Sequence, residues 1–145
     1  MGLQRMEHIG IVVEDLGAAV AFFAELGLQS EGEAFVDGTW VDRTIGLDGV
    51  RADIVMLRTP DGNSRLELTR FHSPVAADAE QRAPANALGI RHISFAVDDL
   101  RDVAARLRAL GGEPVGEVVQ YEQSYLLCYL RGPAGIIVEL AQKLG

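Results

Sequence analysis

Bulky apolar residues alternate with small or polar ones at two places along the chain. Ile9, Ile11 and Val13 are interleaved with His8, Gly10 and Val12, and Ile93, Phe95 and Val97 with His92, Ser94 and Ala96. A period of two predicts a short strand at each place, with one bulky face and one face that carries the histidine. The spacing then changes to three and four: Leu16, Val20 and Phe23 in one stretch, Leu100, Val103, Leu107 and Leu110 in the other. This predicts a helix after each strand, capped by Asp15 or Asp99 and ended by Gly27 or Gly111. Strand-like runs follow at Gln29–Phe35, Trp40–Ile45 and Ala52–Leu57, and again at Glu113–Val119 and Ser124–Leu130, with a turn at Glu122-Gln123. In the last strands Leu66 and Leu68 flank Glu67, while Ile136, Val138 and Leu140 alternate with Ile137, Glu139 and Ala141, so both glutamates can share the histidines' face.

The two stretches are copies. Residues 8–27 align without a gap to 92–111, and eight of the twenty pairs are identical, including His8/His92, Asp15/Asp99 and Gly27/Gly111. Ordinary composition gives roughly one or two. The offset is 84 at the first strands and 72 at Glu67/Glu139, so the first half carries twelve extra residues in its middle. The expected fold is α+β: a single domain over 1–145 built of two βαβββ modules, 5–70 and 90–145, joined by a Pro- and Ala-containing connector, 71–89, with a little helix.

Composition narrows the function. A formal net charge of −8, with 13 scattered basic residues, repels nucleic acid and anionic membranes. No apolar run approaches the ~20 residues that span a bilayer, and no secretory leader is legible; a cytoplasmic protein is expected. Cys128, the single cysteine, has no thiol to pair with and reads as a small buried hydrophobe.

An ionised Glu inside an apolar strand is costly to bury unless something neutralises it, and here both last strands place one at the same position. Taken singly, a strand His or Glu has plainer roles in core or surface. Their duplication points to a shared ligand set of His8, Glu67, His92 and Glu139. Two imidazoles and two carboxylates neutralise one divalent ion, suit Zn, Ni, Co, Fe or Mn better than soft copper, and in an octahedral shell leave two positions for water or substrate oxygens.

These motifs, 7–16 with 65–68 and 89–100 with 132–140, resemble the vicinal oxygen chelate superfamily, which includes glyoxalase I, methylmalonyl-CoA epimerase, extradiol dioxygenases and the fosfomycin and bleomycin resistance proteins. The resemblance covers nearly the whole chain. It implies a curved, mixed eight-stranded sheet around a metal-binding cavity, with His8, Glu67, His92 and Glu139 at the four ligand positions, and a homodimer. It further implies metal-assisted proton abstraction next to the carbonyl of a small carbonyl or thioester substrate, through an enediolate or enolate, with Glu139 or Glu67 as the base. The His/Glu/His/Glu set is that of glyoxalase I, and favours lyase or isomerase chemistry. The chain lacks matches to that enzyme's glutathione-contacting Arg and Asn positions, and has Glu67 where the epimerase typically has Gln, so the subfamily stays open. The alternatives are a non-catalytic drug-binding protein of the bleomycin resistance type and an extradiol dioxygenase. Trp40, Arg43, Tyr121, Tyr125 and Tyr129 are further candidates to line a pocket, with packing the plainer role, and His72 reads as a surface residue of the connector.

Overall fold

A computed structural model describes residues 2–145, which divide into two compact units at Asp78/Ala79. The first unit runs β1 (Ile9–Val12), α1 (Leu16–Leu26), β2 (Gln29–Asp37), α2 (Thr39–Ile45), β3 (Arg51–Arg58) and β4 (Arg65–Ser73). Its strands form one sheet in the order β1-β4-β3-β2, parallel between β1 and β4 and antiparallel elsewhere. The second unit runs β5 (His92–Ala96), α3 (Leu100–Ala109), β6 (Glu113–Pro114), β7 (Val119–Tyr121), β8 (Tyr125–Arg131) and β9 (Ile137–Lys143). Its order is β5-β9-β8, with β6 and β7 on opposite ends of β8. The α+β expectation and the βαβββ repeat are therefore what the chain adopts.

The helices sit where the periodicities change. Asp15 accepts from the Ala18 amide and Asp99 from the Asp102 amide, satisfying donors that each first turn leaves open. Gly27 and Gly111 take positive φ, 125° and 95°, as expected. Helix α3 buries Leu100, Val103, Ala104 and Leu107, and lies against β8 and β9. Each large side chain there contributes ~1.5–3 kcal/mol. Leu110, expected on that face, is instead exposed, because it lies beyond the last helical turn as the cap residue. In α1 the buried residues are Ala19, Phe22 and Phe23, with Leu16 and Val20 only half-buried.

Three further expectations are corrected. Trp40–Ile45 is helix, not strand: glycines bracket the segment, Gly46 in the left-handed conformation (φ 75°) that β-branched residues avoid, and the Asp42 carboxylate accepts from the Gly49 and Val50 amides to fold the following loop back. The twelve extra residues thus accommodate α2. Its Val41 forms a small core with Val50 and Ala52, against which Val36 and Phe71 pack. Glu113–Val119 is broken into β6 and β7, with no strand assigned at 115–118. The connector holds no helix; β4 continues to Ser73, and past Asp78 the connector belongs to the second unit. There the Arg131 guanidinium donates to the carbonyls of Gln81 (3.4 Å), Ala83 (3.0 Å) and Gly135 (3.1 Å), tying connector to sheet. Gly135 is required there, since a Cβ would collide with the Gln81 backbone.

Candidate metal-binding pairs

In the first unit the parallel register sets Gly10 beside Glu67, so His8, two residues earlier, lies on the same face as that carboxylate. His8 Nε2 and Glu67 Oε2 are 3.5 Å apart, both partly exposed. In the second unit Ser94 stands beside Glu139 in the same parallel register, and His92 Nε2 lies 3.7 Å from Glu139 Oε1. Gly10 and Ser94 occupy corresponding places of the repeat, so the units build the same pair with the same geometry.

Both separations exceed the ~2.7–2.9 Å of a charge-assisted hydrogen bond. They lie just above the roughly 3–3.4 Å edge spanned by an imidazole nitrogen and a carboxylate oxygen that each lie ~2.1 Å from one octahedral or tetrahedral ion. Donor type and spacing therefore fit a divalent metal. Each unit supplies two donors, and among the described residues no three His, Cys, Asp or Glu form a group of their own.

The surroundings of the pairs differ. In the first unit Thr69, the buried polar residue two positions along β4, donates its hydroxyl to Glu67 Oε1 at 3.4 Å. Across the ladder from Glu67 is Met56. In the second unit the residue across from Glu139 is Tyr129, whose ring centre lies 5.0 Å from that of His92 and whose hydroxyl is 3.5 Å from His92 Nδ1. A partner on Nδ1 leaves Nε2 turned toward the carboxylate. Alternation along β8 puts Tyr125, Leu127 and Tyr129 on the face of Glu139, and Cys128 on the opposite face under α3. Burial pushes the Cys128 thiol up, as an inert core cysteine requires.

His72 is a strand residue rather than part of the connector. It occupies a bulge near the end of β4, with Nε2 2.7 Å from Asp53 Oδ2 and its ring beside Phe35. Trp40 and Arg43 are exposed on α2. Sequence reading passed over Thr69; its signal is a hydroxyl two residues after Glu67 in an otherwise apolar strand, on the same side of the sheet.

Comparison with known proteins agrees with this architecture. The chain is 26% identical over 110 residues to the uncharacterized protein YaeR of Escherichia coli (strain K12), covering 75% of this chain and 73% of that one. A crystal structure of a glyoxalase family protein from Bacillus cereus superposes with a TM-score of 0.96 at 48% identity, covering 100% of this chain and 97% of the other. A glyoxalase I variant from Zea mays shares the fold at a TM-score of 0.68 and 20% identity, over 97% of this chain and 45% of its own. The profile of the glyoxalase/bleomycin resistance protein/dioxygenase superfamily matches residues 7–142, and the chain belongs to that superfamily.

Proposed function

We propose that the protein is a divalent-metal-dependent lyase or isomerase of the glyoxalase kind, acting on a small substrate with a carbonyl or thioester group. The observation that carries this reading is the duplicated His–Glu pair, set by one parallel register in both units and spaced nearly as metal ligands are spaced. His8, Glu67, His92 and Glu139 would hold one ion of the Zn, Ni, Co, Fe or Mn type. Bound there, the ion supplies a Lewis acid for adjacent substrate oxygens and for the negative charge of an enediolate or enolate.

The remaining work falls to side chains. One carboxylate must take a proton from the carbon beside the carbonyl and return it to the same or the neighbouring carbon. The Thr69 hydroxyl lies 3.4 Å from Glu67 Oε1, a long contact that still favours a Glu67 that stays in place, whereas Glu139 receives no hydrogen bond from a hydroxyl or amide among the described residues. Glu139 is accordingly assigned as the base and Glu67 as the fixed ligand. Tyr129 holds the His92 ring through Nδ1. The substrate is small, the partner a second copy of the chain, and the compartment the cytoplasm; no helix among the described residues is long and apolar enough to cross a membrane.

The test combines elemental analysis of the purified protein with solvent deuterium exchange into α-hydroxy carbonyl and acyl-thioester compounds. Stoichiometric metal, exchange in the metal-loaded protein, and loss of exchange in Glu139→Gln assayed at a metal concentration high enough to load the variant are expected. Exchange that survives in Glu139→Gln removes that residue as the base. A protein that neither retains added metal nor exchanges protons is instead a drug-binding member of the superfamily.

A further inference from the structure

The repeat allows a residue-by-residue comparison of the faces that carry the two pairs. Ladder partners share a face, so Met56 in the first unit corresponds to Tyr129 in the second, Ile54 to Leu127, Ala52 to Tyr125, and Val36 to Tyr121. In the first unit the far end of this face is covered by α2: Val41 and Val50 close over Ala52, Val36 and Phe71. The second unit has no counterpart of α2. The same end is therefore open, with Tyr125 and Tyr121 in the places of Ala52 and Val36 and Lys143 in that of Phe71, and Tyr121 58%, Tyr125 41% and Val119 54% exposed. A ring-bearing strip thus starts at His92 and Glu139 and runs along β8 for four residues, about 13 Å, to Tyr125, where Lys143 stands across the ladder on the same face.

From this asymmetry we infer that the strip formed by Tyr121, Tyr125, Leu127 and Tyr129 is a substrate subsite for a planar aromatic or similarly flat apolar group attached to the reacting carbonyl. The inference rests on the function proposed above for the substrate's oxygens, and adds the class of group they carry. Three features support this occupant. The strip shares one sheet face with the His92–Glu139 pair, so a single ligand can reach both. Its rings offer stacking surface while their hydroxyls keep an uncovered face compatible with water. The sister face shows what the fold does when that end is to be closed, and here that cover is missing.

The test is calorimetric titration of the full-length, zinc-loaded protein with pyruvate and with phenylpyruvate, two 2-oxo acids that present the same adjacent oxygens. Phenylpyruvate is expected to bind about tenfold tighter, the gain of one stacked ring with its buried area. Tyr125→Ala and Tyr121→Ala should remove that preference and leave pyruvate affinity unchanged, while Tyr125→Phe, which keeps the ring, should retain it. Equal affinity for the two acids, or a preference untouched by either alanine variant, overturns the subsite while leaving the proposed function standing. If the ring-dependent preference persists in protein stripped of metal and zinc adds nothing, the subsite stands and the metal-dependent reading falls. Sedimentation of the same variants supplies the remaining check: a change of oligomeric state with no change in phenylpyruvate affinity assigns the strip to a second copy and overturns the inference.

Discussion

If His8, Glu67, His92 and Glu139 hold one ion, metal and folding are linked, and the linkage can be measured without knowing the substrate. An ion that binds the native chain alone stabilises it by RT ln(1 + [M]/Kd), about 2.7 kcal/mol at a hundredfold excess over Kd. For a chain of 145 residues, unfolding entropy converts each kcal/mol into about 3 °C, so Tm should rise by about 8 °C. Replacing Glu67 or Glu139 by Gln keeps the shape of the side chain but removes one of the two negative charges and one anionic donor. Loss of an outer partner of a ligand already costs 10–100-fold in affinity, so a ligand itself should cost about 100-fold or more. At the same metal concentration the excess is then gone, and RT ln 2, about 0.4 kcal/mol, leaves a rise of about 1 °C. The assay is differential scanning calorimetry of chelator-treated protein with added zinc or nickel, on the parent and both variants. Equal losses in the two variants are expected, because one ion draws on both pairs. A variant whose shift equals the parent's removes that glutamate from the ligand set, and a variant that keeps one tight ion while losing another means that the pairs bind separately.

Other consequences follow from individual contacts. Arg131→Ala removes donors from three carbonyls and should cost about 2 kcal/mol in urea unfolding; a change below about 0.5 kcal/mol would show that the connector is held otherwise. Asp42→Ala deprives the Gly49 and Val50 amides of their acceptor, so amide exchange across α2 and its loop should quicken while that of α3 does not change. Cys128, buried with its thiol pKa raised, carries less thiolate at pH 8 than a free cysteine; it should react slowly with a disulfide reagent until the chain is unfolded, and rapid labelling of the native protein would contradict its placement under α3.

The paired strands and helices, their caps and the His–Glu pairs were legible because each rests on local periodicity stated twice. His8 and Glu67, distant in sequence, are brought together by a register that repeats at His92 and Glu139, so the duplication exposed a tertiary contact. What was not repeated was harder to read. Helix α2 is short and rich in β-branched and aromatic residues, and its conformation is set by flanking Gly38 and Gly46 and by the Asp42 side chain. The break between β6 and β7 leaves no trace in the apolar pattern, since Val115, Val118 and Val119 read as strand throughout. His72 looked like a connector residue because the bulge at the end of β4 shifts the pattern by one residue.

Strand β2 has a consequence for solution behaviour. It ends the first sheet's strand order, is nine residues long and is exposed along nearly all of its length. Such a margin invites stacking with other chains into fibres. The register shift at Ser30/Gly32 interrupts its regularity, and Glu33 and Asp37 line it with negative charge, while Glu31 is held by the Arg65 guanidinium. That repulsion is screened by salt, so raised ionic strength is the condition in which chains should associate along that margin.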